Sequence, residues 1–126
     1  MFTQEEENKI NELKRQIVDL VVDNVDKFQW FLNNELECET RLSNGIYLYL
    51  SDYYSRWTGG DKVALWVYNG NQKMFRVNSY EYPQLTTEIF KKIHHNLRYE
   101  KCVENFTNVI DGIKNEIKDK EYDNGN

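Results

Sequence analysis

Apolar residues recur at three- and four-residue steps along the first quarter of the chain, which is the spacing of one face of an α-helix. Thr3 followed by Glu6 has the pattern of a capping box, and acidic residues in the first turn suit the positive end of the helix dipole. The pattern predicts a long helix from about Thr3 to Phe31. Its apolar stripe comprises Ile10, Leu13, Ile17, Leu20 or Val21, Val25, Phe28 and Leu32.

Four segments with strand patterns follow this helix. The segment from Glu35 to Leu42 alternates charged and apolar residues, which is typical of a half-buried edge strand. Asn44-Gly45 and Asn69-Gly70 are hairpin turn signals. The sequence therefore predicts a four-stranded antiparallel meander in the order 1-2-3-4. The other three strands are predicted at Ile46–Tyr53, Lys62–Tyr68 and Gln72–Asn78, the last with Phe75 and Val77 inward and Met74 and Arg76 outward.

The C-terminal third of the chain has a helical pattern. Pro83 fits the first turn of a helix. The pattern allows either one helix after it or two helices with a break near Arg98–Tyr99. Two apolar stripes occur in this region. The first comprises Leu85, Ile89, Ile93 and Leu97, and the second comprises Val103, Phe106, Val109 or Ile110, Ile113 and Ile117. The second stripe is close to a 3–4 repeat, which allows it to pair with the first helix. The predicted fold class is α+β, in a single domain over residues 1–126 with frayed ends at 1–2 and about 119–126.

The two central strands of the predicted sheet are apolar on both faces. A sheet that stands on one helical layer ordinarily shows polar residues on its outer face. Here the outer set, which we name the aromatic ledge, consists of Tyr47, Tyr49, Trp66 and Tyr68. Three covers are consistent with the sequence: the C-terminal helices as a third layer, a second copy in a homodimer, or a bound partner or ligand.

Charge and targeting signals narrow the class of protein. The net charge is −5 and no cluster of Lys and Arg occurs, which disfavours direct binding to nucleic acid. The acidic N-terminus lacks the pattern of a signal peptide, and no apolar run reaches the length of a membrane span. We therefore expect a cytoplasmic protein with no membrane association, in which Cys38 and Cys102 are buried free thiols.

Residues that could carry catalysis form no recognisable motif. His94 and His95 are neighbours, and adjacent helical residues point about 100° apart, so they are unsuited to chelating one metal ion. Asp52 and Asp61 flank a loop, and the order helix, meander, helix also begins one nuclease class, so a divergent metal-dependent nuclease is an alternative. The third strand lacks the acid-x-Lys pattern of that class. We predict no catalytic residue, metal or cofactor.

The sequence favours binding over catalysis. We expect a non-enzymatic acidic interaction protein, most concretely a small phage or mobile-element inhibitor that blocks a host defence or nucleic-acid-processing protein by presenting carboxylates in place of phosphates. The alternative is a small-molecule or nucleotide binding module that uses the aromatic ledge. The predicted binding residues are the ledge together with Arg56 and Trp57 in the loop, Arg76 on the last strand, and Glu37 and Glu39 on the acidic strand.

Overall fold

The α+β class and the meander order are confirmed by a computed structural model, which describes residues 1–56 and 59–124. Within these ranges five antiparallel strands form one sheet in the order β1-β2-β3-β4-β5, one strand more than predicted. The elements are α1 (Gln4–Asp23), a 3-10 turn (Val25–Lys27), β1 (Phe31–Asn34), β2 (Glu37–Arg41), β3 (Ile46–Ser55), β4 (Gly60–Asn69), β5 (Gln72–Asn78) and α2 (Thr87–Asn124).

Helix α1 begins with the predicted capping box but ends earlier than expected. The backbone N–H of Thr3 donates to the Glu6 carboxylate at 2.8 Å, and the N–H of Glu6 donates to the Thr3 hydroxyl at 3.2 Å. At the other end, the Asn24 amide donates to the carbonyl of Leu20 at 2.7 Å, while its backbone N–H bonds the carbonyl of Val21 at 3.2 Å. These two bonds close the last turn, so the helix stops at Asp23.

The prediction that helix extends to Phe31 was wrong, because this region forms an edge strand. Phe31 pairs with Glu39 and Leu32 with Cys38. The indole N–H of Trp30 donates to the carbonyl of Val25 at 2.8 Å, and the Thr40 hydroxyl donates to the carbonyl of Gln29 at 2.7 Å. The strand predicted at Glu35–Leu42 is therefore an internal strand, β2, and β1 takes the edge of the sheet.

One face of the sheet, the inner face, carries the core. Leu48 stands opposite Val67 and Leu50 opposite Leu65 in the β3–β4 pair. Helix α1 lies against this face, because Ile17, Leu20 and Val21 line one cavity together with Leu48 and Val67. Phe75 and Val77 face inward as predicted, opposite Val67 and Leu65. Among the described residues, the buried apolar side chains are Val18, Val21, Trp30, Cys38, Leu48, Leu50, Val63, Ala64, Leu65, Val67, Val77, Leu85 and Phe90.

Helix α2 is continuous and shows no break at Arg98–Tyr99. It begins at Thr87, where the Thr86 hydroxyl accepts the N–H of Ile89 at 3.3 Å; Pro83, predicted in the first helical turn, lies before it in a turn. The chain divides into two compact units, Met1–His94 and His95–Asn126, so α2 contributes to both.

The two cysteines differ in environment. Cys38 is buried on the inner face, as predicted, and burial, followed by the charge of Glu37, raises the pKa of its thiol to about 11. Cys102 is a free thiol on the exposed surface of α2, so the prediction that it is buried was wrong. Free cysteines are ordinarily buried, but residues 98–121 of α2 are all exposed.

We expect Leu50→Ala to lower the free energy of unfolding by about 2–5 kcal/mol, because Leu50 is 1 % exposed and its removal leaves a cavity at the centre of the core. The matched control is Leu36→Ala, since Leu36 is exposed and its truncation should change stability by less than about 0.5 kcal/mol. Urea denaturation of both variants measures the difference. Equal losses would contradict the assignment of the inner face.

Candidate functional site

The aromatic ledge occupies the centre of the outer face of the sheet. Tyr47 stands opposite Tyr68 and Tyr49 opposite Trp66, as the meander predicts, and all four side chains are half-buried. The rings of Tyr49 and Tyr68 meet edge to face, with centroids 5.4 Å apart and an interplanar angle of 77°. This is a favourable aromatic geometry, and it makes the ledge one contiguous surface.

Charged residues of the neighbouring strands flank the ledge on both sides. On β2, Arg41 stands opposite Tyr47 and Glu39 opposite Tyr49. On β5, Arg76 stands opposite Trp66. Across the strands of the outer face, the aromatic rings are therefore bordered by charged side chains of both signs.

A bulge in β5 adds a further cation to the ledge. Val67 pairs with Phe75, but the next residue, Tyr68, pairs with Lys73, so Met74 is an extra residue in the strand. A bulge of this kind puts two residues opposite one and changes the side to which the following side chains point. As a result Lys73 lies on the outer face, although simple alternation from Phe75 would place it inward.

These cations lie over the aromatic rings. The Lys73 ammonium is 4.6 Å from the ring centroid of Trp66. The Arg76 guanidinium lies 5.2 Å from the ring centroids of both Trp66 and Tyr53. The Arg41 guanidinium lies 5.4 Å from the ring centroid of Tyr47. Such contacts contribute about 0.5–1 kcal/mol each at exposed sites. Long aliphatic stems also cover apolar surface while the charge stays in water.

Within Met1–His94, helix α1 lies on the inner face of the sheet, opposite the aromatic ledge. The side chains of α1 meet Leu48 and Val67 on the inner face, and Lys14 lies 5.8 Å from the inward ring of Phe75. Among the described residues of this unit, the ledge is covered by side chains of its own sheet, and the helical third layer considered from the sequence does not form.

An open pocket of about 320 Å³ is set into the ledge. Its lining residues are Glu37, Tyr49, Trp66 and Tyr68. The Glu37 carboxylate accepts a hydrogen bond from the Asn33 amide at 2.7 Å, which fixes its position. The pKa of Tyr49 is raised first by desolvation and then by the negative charge of Glu39, so its hydroxyl stays protonated. A carboxylate beside three aromatic rings is an environment that suits a cation with an apolar stem.

The other predicted binding residues have different surroundings. Glu39 is only 15 % exposed and its carboxylate lies 3.6 Å from the Arg41 guanidinium, so its charge is paired within the chain. Arg56 is exposed in the turn after β3 and does not line the pocket. Trp57 lies outside the described residues. The structure thus brings Tyr49, Trp66, Tyr68 and Glu37 together, with Tyr47 and Arg76 beside them.

A second polar cluster, at the inner face, was not anticipated. Asp52 stands opposite Val63 at an inward position of β3, and its pKa is raised first by burial and then by the charge of Asp61. His94 stacks on Phe90, with ring centroids 5.3 Å apart, and is buried rather than superficial. Neither the Asp52 Oδ1 atom nor the His94 Nε2 atom has a hydrogen-bond partner among the described residues. The alternation of Leu48, Leu50 and Asp52 along the strand was the sequence signal that Asp52 faces the core.

Within residues 1–56 and 59–124, no group of three or more His, Cys, Asp and Glu side chains is placed to hold a metal ion. In the same part of the chain, no helix has the length and apolar character needed to cross a membrane. No protein-family model, curated protein or solved structure matches the chain.

We expect Trp66→Ala to lower the free energy of unfolding by about 1–2 kcal/mol, less than the roughly 3–5 kcal/mol typical of a fully buried tryptophan. The physical reason is that Trp66 is half-buried and covered mainly by Lys73 and Arg76. Urea denaturation, run beside Leu50→Ala, measures the loss. A variant that fails to fold would show that the ledge belongs to the core.

We expect Asp52→Asn to stabilise the protein at neutral pH. Because the folded-state pKa of Asp52 is raised, the folded protein binds this proton more readily than the unfolded chain, and ionisation above that pKa lowers stability. The gain from the amide should therefore be present at pH 7 and disappear as the pH falls below the normal range of a carboxyl group. Thermal melts from pH 3 to pH 8 measure it, with the exposed Asp26→Asn as control. A pH-independent difference would contradict this expectation.

Proposed function

We propose that this protein is a non-enzymatic binding domain for another protein, and that the aromatic ledge is its binding face. A basic side chain of the partner enters the pocket, with its charge at Glu37 and its stem between the rings. The observation that carries the proposal is the pocket itself, in which one positioned carboxylate and three aromatic side chains lie together in the middle of an open sheet face.

The residue types of the ledge are those that anchor protein interfaces. Tyrosine, tryptophan and arginine dominate interface binding energy because each buries a large area and keeps a polar group for hydrogen bonding. The ledge supplies Tyr49, Trp66 and Tyr68 at its centre. Arg41 and Arg76 lie at its borders, where exposed charges favour specificity over raw affinity.

Electrostatics favours a cationic group over a nucleotide in this pocket. The Glu37 carboxylate lines it and would repel a phosphate. The nucleotide-binding alternative is therefore the less favoured one.

In its most concrete form the proposal is a small cytoplasmic inhibitor from a phage or mobile element. Such a protein occupies a basic surface of a host defence or nucleic-acid-processing protein. A net charge of −5 supports attraction to a basic surface, since long-range fields accelerate association between opposite charges. Because Glu39 is paired with Arg41, the proposal assigns recognition to Glu37 and the rings rather than to a row of free carboxylates.

The test is a titration followed through the indole N–H signal of Trp66 by NMR. We expect this signal to shift with a short peptide of alternating Arg and Gly, and not with the matched Glu–Gly peptide. Glu37→Gln should weaken the response about tenfold, as expected for loss of one charge-assisted contact. Glu5→Gln is the matched control, because it removes the same charge from an exposed position at the start of α1.

Two results would contradict the proposal. A shift of the Trp66 signal with ATP and none with the arginine peptide would favour the nucleotide-binding module. An arginine response that is unchanged in Glu37→Gln would show that the pocket is not where the peptide binds.

A further inference from the structure

The second unit of the chain, His95–Asn126, presents an apolar stripe along one face of α2. Its members are all exposed, between 46 % and 67 %. They follow one another at steps of four, three, four, three and four residues, which is the a/d spacing of a coiled coil over three heptads. We name as the α2 stripe the residues Tyr99, Val103, Phe106, Ile110, Ile113 and Ile117.

We infer that the α2 stripe is a dimerisation surface and that its occupant is the same helix of a second copy of this chain, running antiparallel. This inference is separate from the proposed function, because it uses none of the residues of the aromatic ledge. A contiguous apolar patch of this extent is unusual on a monomer and ordinarily marks an interaction site.

A self-complementary register supports a second copy as the occupant. When the stripe is laid against itself in reverse, Ile110 meets Phe106 of the second copy, Val103 meets Ile113, and Ile117 meets Tyr99. Every a position then faces a d position, as antiparallel coiled coils require. Helix α1 offers no equivalent partner, because Val18 and Val21 of its apolar face are already buried within Met1–His94.

The charges beside the stripe favour the antiparallel direction. Glu100 and Lys114 follow the d residues Tyr99 and Ile113 and therefore occupy e positions of the heptad. In the antiparallel arrangement the e positions of the two helices meet, so Glu100 lies beside Lys114 of the second copy. The two-fold symmetry repeats this pair, so two attractive contacts form. Val109, which is 60 % exposed in the single chain, meets its own counterpart near the two-fold axis and extends the apolar surface.

A parallel arrangement of the same helices is electrostatically worse. In a parallel coiled coil each g position meets the following e position of the partner helix. Glu116 would then lie beside Glu121 of the second copy, which is a repulsive pair. Lys114 would face apolar Val109 and would gain no ion pair. The flanking charges therefore select the antiparallel direction.

The first test is the mass of the full-length protein in solution. Sedimentation equilibrium should give twice the chain mass of 15.2 kDa. Ile110→Glu should raise the dimer dissociation constant about a hundredfold or more, because it places a charge in the apolar seam on both chains. The matched control is Asn108→Glu, which adds the same charge on the opposite side of the helix, outside the stripe, and should leave the dimer intact.

The second test establishes direction by exchanging charges. Glu100→Lys and Lys114→Glu should each weaken the dimer about tenfold when studied alone, since both pairs become repulsive. Mixing the two single variants should restore dimerisation, because each mixed dimer then contains two attractive pairs. A parallel dimer gives no such rescue.

The inference is overturned by a mass of 15.2 kDa at all concentrations, or by a dimer that survives Ile110→Glu. A monomer that co-sediments with phosphatidylglycerol vesicles, and loses this binding in Ile110→Glu, would assign the α2 stripe to a membrane surface instead. Absence of rescue in the mixture would overturn the antiparallel direction. Thermal melts of each variant confirm that a change in mass does not come from unfolding.

Discussion

The pairing register of β3 with β4 is the constraint on which the rest of the structure depends. One register places Leu48 and Leu50 opposite Val67 and Leu65 on the inner face, and the same register places Tyr49 opposite Trp66 on the outer face. A shift by one residue would exchange the two faces. The core and the aromatic ledge are thus set together, and the burial that stabilises the core also positions the ledge.

The strands were largely predictable because inward and outward residues alternate along most of their length and Asn-Gly turns separate two of the pairs. The bounds of β5 and the inward positions of its Phe75 and Val77 follow directly from period-two spacing. The region from Phe28 to Leu32 could not be assigned in the same way, because its apolar residues satisfy a helical and a strand period at once. Its state depends on Asn24, which ends α1, and on pairing with β2, which no local pattern shows.

The aromatic residues of the candidate site were predictable, but the cations that lie over them were not all predictable. Tyr47, Tyr49, Trp66 and Tyr68 alternate with core residues and so must share a face. Lys73 could not be placed there, because its position depends on the bulge at Met74. The burial of His94 was missed because the predicted stripe ran through Ile89 and Ile93, whereas the buried face of α2 runs one position later, through Phe90 and His94.

The contacts of Lys73 and Arg76 with Trp66 also bear on how the protein behaves at high concentration. A bare aromatic face on a flat sheet would adhere to other molecules and to unfolded chains. Two flexible cations above it keep the face hydrated, and like charges on two molecules that approach face to face repel each other. Each contact contributes only about 0.5–1 kcal/mol at an exposed site, so the proposed partner would displace these side chains at a small cost. The two side chains thereby reduce the apolar area that this face offers to nonspecific association.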